Sequence, residues 1–163
     1  MEKFLFGALL CVGLLSPTFA GTHKVPPDKP IVTVQVPDKW KTTERGEHME
    51  AVSPDGGVSF LVMTAEARKI NEAMGEAMRY LRNRDGITVK GDSEKREEGK
   101  LNGMDVKNVS WQGKNQKGDV RINFKIMSVP DRKPVIVAYW ASPEAEKKYQ
   151  KELNKMLQSI KKI

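Results

Sequence analysis

The chain has 163 residues, 39% of them hydrophobic and 30% charged, and its 28 Lys and Arg outweigh 21 Asp and Glu for a formal net charge of +7. These proportions are those of an ordinary globular protein and exclude collagen-like, low-complexity and intrinsically disordered classes. The length suits one compact domain that can bury a core without staples, and the positive excess favours anionic partners.

Residues 1–3 precede an apolar run over 4–15, which Ser16 and Pro17 break before the small residues Thr18 and Ala20. This arrangement predicts a secretory signal peptide over 1–20, cleaved near Ala20 to give a periplasmic or secreted protein. The apolar run is shorter than the ~20 residues of a membrane-spanning helix, and a retained anchor is the alternative. Cys11, the single cysteine, sits inside that run behind Leu10, where a lipoprotein cleavage site would want a small residue. Cleavage leaves no cysteine, which excludes a disulfide framework, a thiolate nucleophile and a Cys-ligated metal. Because Glu2 and Lys3 cancel, the mature chain keeps its charge. An exported basic domain meets lipid headgroups or envelope polymers, with peripheral membrane contact open to it, and seldom meets nucleic acid.

Residues 21–30 carry Pro26, Pro27 and Pro30 among polar residues and predict an extended tether ahead of a single domain over 31–163. The β-branched run 31–36 predicts a strand, followed by short extended pieces at 40–44 and 47–52. Ser53-Pro54-Asp55-Gly56-Gly57 is a turn signal, after which 58–63 returns as a strand. Thr64 is placed to cap a helix reaching about Arg84, with Ile70, Met74, Ala77, Met78 and Leu81 on one face and Gly86 as the stop. Gly75 inside that helix suggests close approach to a sheet.

Residues 87–90 begin a strand, and 91–100 is so charged that it reads as a solvated hairpin arm. Met104 and Val106 fall in the opposite phase to Val109 and Trp111, which predicts a bulge near Lys107-Asn108 if all four face one core. A polar hairpin loop is expected over 113–118. Val120, Ile122, Phe124 and Ile126 then alternate with Arg121, Asn123 and Lys125, the pattern of a strand wet on one face. The uninterrupted apolar run 135–141 predicts a strand covered on both faces near the sheet centre. Ser142, Pro143 and Glu144 carry the features of a helix start. Along that helix Ala145, Tyr149, Leu153, Met156, Leu157 and Ile160 form the apolar stripe, with Lys148, Lys151, Lys155 and Lys162 opposite. Short turns between strands and two separated helices predict an α+β fold, an antiparallel β-sheet flanked by two main α-helices.

Chemistry-bearing patterns are sparse. His23 and His48 are the only histidines, so zinc has no usual site, and His48 with Glu50 on one strand face supplies at most two ligands. No Gly-x-Ser-x-Gly elbow or phosphate-binding glycine loop occurs, and Glu97-Glu98 lie in an exposed charge run. Neither catalytic residues nor a metal or cofactor are expected. Trp40, Trp111 and Trp140 and the helix methionines read as core. The candidate partner-binding residues are therefore Lys148, Lys151, Lys155 and Lys162.

Four segments resemble the PsbP/DcrB-like families of small exported or lumenal domains: Val36-Pro37-Asp38-Lys39-Trp40, Ser53-Pro54-Asp55-Gly56-Gly57, Leu101-Asn102-Gly103, and the apolar strand through Tyr139-Trp140 into a helix ending Leu157-Gln158-Ser159-Ile160-Lys161. The resemblance spans about 31–163. It implies an antiparallel sheet flanked by helices in an accessory or binding protein, as in an extrinsic photosynthetic subunit or an envelope protein linked to phage uptake. Effector chaperones and a nuclear-transport factor of this type extend the range, and no catalytic residues carry over. The expectation is a non-enzymatic exported domain contacting a protein or an anionic envelope component. The alternatives are a carrier or holdase sheltering an apolar ligand or peptide, or an enzyme built around His48.

Overall fold

The computed structural model describes residues 19–163, so the leader expected over 1–20 lies outside the described residues apart from Phe19 and Ala20. Strands β1 (Phe19–Val25), β2 (Val32–Pro37), β3 (Lys41–Arg45), β4 (His48–Val52) and β5 (Val58–Thr64) lead through a 3-10 turn (Ala67–Lys69) into α1 (Ile70–Asp85). Then come β6 (Thr88–Leu101), β7 (Met104–Asn115), β8 (Gly118–Ser128), β9 (Val135–Ala141), α2 (Pro143–Ser159) and β10 (Lys161–Lys162). A seven-stranded sheet has the order β3-β4-β5-β9-β8-β7-β6, and β1-β2-β10 form a second sheet. Every pairing is antiparallel. The fold is α+β with two helices, as expected, and the three-stranded sheet is an addition to that expectation.

β9 occupies the middle of the large sheet, and both of its faces are covered. Val135, Val137 and Ala141 join one core with Phe60 and Val62 of β5, Val34 and Val36 of β2, and Leu153 and Met156 of α2. On the other face Ala138 and Trp140 pack with Leu61, Ile122, Phe124 and the α1 residues Ala77 and Leu81. The large sheet is thus a middle layer between α2 with the small sheet on one side and α1 on the other.

Two-sided cover removes the need for a bulge at Lys107-Asn108. β7 runs against β8 in unbroken register, with Met104 and Val106 facing the α2 side and Val109 and Trp111 the α1 side. The irregularity lies instead in β6, between Lys90 and Lys95. There Ser93 Oγ accepts from Gln112 N at 2.8 Å and donates to Lys90 O at 2.5 Å, replacing ladder bonds that the bulge interrupts. On β8 the polar alternates are only partly wet: Arg121 is exposed, while Asn123 and Lys125 are half-buried. Lys125 Nζ donates to Asn108 Oδ1 at 2.8 Å, and burial lowers its pKa.

Four further expectations are corrected. The tether is structured in its first half, because β1 pairs with β2 through Val25↔Val32 and Val25 is buried. Thr64 closes β5 against Val135 rather than capping a helix, and α1 begins after the 3-10 turn. Gly75 is exposed, with open space where a Cβ would stand, so it marks no close approach. Lys162 is off the helix: α2 ends at Ser159, and Ile160 leads into β10, which pairs Lys162 with Val32. The cause lies far away in sequence. Asn102 Nδ2 donates to Gln158 O at 2.8 Å and Ile160 O at 2.6 Å, capturing at Gln158 the carbonyl that a continued helix would have bonded to the Lys162 N–H.

The two helix termini read from sequence are as expected. Gly86 adopts φ 61° and its N–H bonds to Arg82 O, ending α1. Ser142 Oγ accepts from Ala145 N at 3.1 Å to start α2. Beside that start sits the β4–β5 turn. Asp55 accepts from Gly57 N at 3.0 Å and from Ser53 Oγ at 2.9 Å, while Lys148 Nζ of α2 donates to its other oxygen at 2.6 Å. A Cβ on Gly57 would stand 2.9 Å from Ala145 Cβ, so the turn lies flush on the helix.

Gly113 is packed where Gly75 is not: its Cβ would meet Thr88 O at 2.8 Å and Ile87 Cγ2 at 3.2 Å. In urea unfolding, Gly113→Ala should destabilise by about 1–3 kcal/mol through overpacking. Gly75→Ala should stabilise by about 0.5–1 kcal/mol, since it removes only backbone entropy; equal effects of one sign would refute the contrast. The Lys148 ammonium, then the Gly57 N–H, hold the Asp55 carboxyl well below the usual carboxylate range. Its folded pKa is below its unfolded one, so its stabilising contribution is complete above about pH 4 and fades as acid protonates it. Asp55→Asn should therefore melt below wild type at neutral pH, with the gap narrowing on acidification. A gap that persists unchanged into strong acid would remove Asp55 from the account.

Candidate functional site

The four predicted lysines do not form one ridge. Lys148, Lys151 and Lys155 are exposed on α2, whereas Lys162 stands on β10. Their electrostatic situations differ as well. Lys148 is ion-paired with Asp55 and lies 4.9 Å from the Tyr149 ring centroid, so its charge is partly offset. The hydrogen bond to Asp55 raises its pKa, keeping it protonated. Lys151 is exposed and lines neither of two concavities, one toward each end of α2.

The concavity at the C-terminal end is a groove of about 330 Å³ formed where α2 meets the outer face of the small sheet. Lys155, Gln158 and Ser159 come from the helix, Thr22, Thr33 and Gln35 from the strands, and Lys161 from β10. Ser159 is spoken for: its Oγ accepts from Gln35 N at 2.8 Å and donates to Met156 O at 2.6 Å. The valines of β2 alternate into the core, which turns Thr33 and Gln35 outward. Sequence reading missed Thr33 and Lys161. The alternation within β2 carried a signal for Thr33, but Lys161 was hidden by its apparent place on a helix.

The second concavity, about 730 Å³, lies at the other end of α2, where four connections of the large sheet converge. The turn bearing Asp55, the α1 end bearing Arg84 and Asp85, the β7–β8 hairpin and the start of α2 enclose it. Trp140 lines it, and its Nε1 donates to Asp85 Oδ2 at 2.6 Å. Arg84 Nε is 3.5 Å from Asp85 Oδ1, and Arg84 also pairs with Glu50. Charges of both signs line this cleft, four carboxylates and three cations, and Asp55 pairs with Lys148 and Asp85 with Arg84 inside it. The space between sheet and helices is filled by side chains such as Phe60, Phe124, Leu81 and Met156. The carrier reading thus lacks the large apolar cleft it requires among the described residues.

His48 lines neither concavity. It shares a strand face with Glu50, as alternation predicted, but Glu50 is engaged by Arg84 and accepts from Tyr80 Oη at 3.0 Å. Burial, then the charge of Arg45 opposite it, lowers the His48 pKa. Among the described residues no group of three or more metal-ligating side chains comes together. His23 sits on β1, with Nδ1 2.7 Å from Glu44 Oε1, joining the small sheet to β3.

No protein-family model matches the chain, and no curated protein matches its sequence. Solved structures match its shape. Cyanobacterial PsbP (CyanoP) of Synechocystis superposes with TM-score 0.61 at 7% identity, over 94% of this chain and 97% of that one. LpqN of Mycobacterium tuberculosis, described as involved in cell envelope biogenesis, gives 0.52 at 14% identity, over 87% and 90%. A Bacteroides thetaiotaomicron protein gives 0.53 at 12% identity over 81% of this chain, which spans only 45% of that protein. At such identities likeness speaks to architecture, and on that ground the chain has the PsbP-like fold its sequence motifs resembled.

Proposed function

We propose that this chain is a non-catalytic accessory domain, exported by the leader over 1–20, that binds an anionic component of the cell envelope. The contacting residues are Lys148, Lys151 and Lys155 on α2 together with Lys161 and Lys162 on β10. The observation that carries the reading is the uneven distribution of charge around α2. The Trp140 cleft is lined by the carboxylates Asp55, Asp85, Asp119 and Glu144 beside Arg84, Lys117 and Lys148, whereas the groove at the other end is lined by Lys155 and Lys161 with no carboxylate. A surface whose lining carries lysines and no acid attracts a negatively charged partner and steers its approach.

Further support comes from the likeness to LpqN, whose description places it in envelope biogenesis, and to the cyanobacterial PsbP. The PsbP-like fold hosts more than one role, so the argument for function rests on the lysine flank.

Retention of the protein on an envelope extract, compared at low and high salt, tests the reading. Replacing Lys148, Lys151 and Lys155 together by Glu should weaken retention by about tenfold or more at low salt and flatten its salt dependence. Retention that is absent in wild type, or untouched by the triple replacement, rejects the proposal.

A further inference from the structure

The outer face of the small sheet has an arrangement found by register alone. Lys24 of β1 pairs with Thr33 of β2 on one side, and Lys161 of β10 pairs with the same Thr33 on the other. Residues directly opposite one another in a sheet project from the same face, so a cation, a hydroxyl and a cation stand in one row. Two strand spacings separate the lysine backbones by roughly 10 Å, a gap that two flexible four-carbon stems close onto one anion. Thr22, opposite Gln35, adds a second hydroxyl in the neighbouring row. The groove beside this row is lined by Lys155, Gln158 and Lys161 and by no Asp or Glu. Neither Lys24 nor Lys161 enters an ion pair among the described residues.

We infer that this groove holds a phosphate ester. Lys161 supplies charge from the lining, Lys24 reaches over from outside it across Thr33, and the hydroxyls of Thr33 and Thr22 donate to its oxygens. The donor set decides the class. No arginine lines the groove, so it lacks the planar fork that grips a carboxylate by two parallel bonds. Compact ammonium groups and rotatable hydroxyls arriving from different directions suit a tetrahedral group with several acceptor oxygens. At about 330 Å³ the groove exceeds a bare phosphate and leaves room for the alcohol of an ester such as glycerol phosphate. The inference rests on the reading of the α2 flank as an anion-contacting surface and adds the ligand class to it.

The test uses the isotopically labelled full chain, titrated with glycerol phosphate and, at equal ionic strength, with sodium chloride. Saturable amide shifts at Thr33 and Lys161 with the phosphate alone are expected. Lys24→Ala with Lys161→Ala should weaken binding roughly tenfold, two charge-assisted contacts being lost. Thr33→Val, which keeps the strand-favouring shape, should weaken it by a smaller factor. Shifts reproduced by chloride, or a double variant that binds as tightly as wild type, overturn the inference. Sedimentation with phosphatidylglycerol vesicles identifies the source of the ester. Binding to vesicles that the double variant loses points to a lipid headgroup, and binding only to soluble glycerol phosphate supports a free ester. Vesicle binding that survives the double variant but fails in the Lys148, Lys151 and Lys155 triple variant leaves the accessory reading standing and removes the groove.

Discussion

β9 can be apolar at every position only if something covers both sides of it, and the rest of the molecule is arranged to supply that cover. α1 closes one face and α2 with the small sheet closes the other, so the chain must travel to both sides of the large sheet. It does so with one helix on each side: α1 leaves β5 for one face, and α2 leaves β9 for the other. The β5 and β8 strands flanking β9 inherit part of the same constraint, and they too contribute to both cores. Burial on two faces stabilises far more apolar area than a sheet with one wet side, which explains how described residues that include no cysteine hold together by packing.

That constraint separates what could be read from the residues from what could not. Local signals served well wherever local physics decides the outcome: the Ser142 cap, the left-handed stop at Gly86, and the alternation of β8. The run 135–141 even revealed its own central position. Misreadings cluster where a distant partner decides. The bulge predicted in β7 followed from assuming one core face, when opposite phases simply report two cores. β1 was obscured by Pro26, Pro27 and Pro30, and only its pairing with β2 makes it a strand. The end of α2 was set by Asn102, which no helical periodicity could announce.

The same division applies to the surface. An exposed helix face bearing lysines was legible, but the meaning of each lysine depends on what tertiary structure brings beside it. Lys148 meets Asp55 from a turn far earlier in the chain and becomes part of how that turn is held. Lys161 meets Thr33 and, across it, Lys24, and becomes part of a concentrated positive row. His48, the residue with the most chemical promise on paper, is placed beside Arg45 and lines neither concavity.

The rims of the large sheet carry their own consequence. β6, fourteen residues long, and β3 terminate it on either side, and each is crowded with charge: Lys95, Arg96, Glu97 and Glu98 on one, Lys41, Glu44 and Arg45 on the other. The kink held by Ser93 further spoils β6 as a template for another strand. Copies of the chain are thereby kept from zipping into ribbons through either rim of the large sheet, and a companion meeting those rims is gripped by side chains rather than by extending the ladder of main-chain bonds.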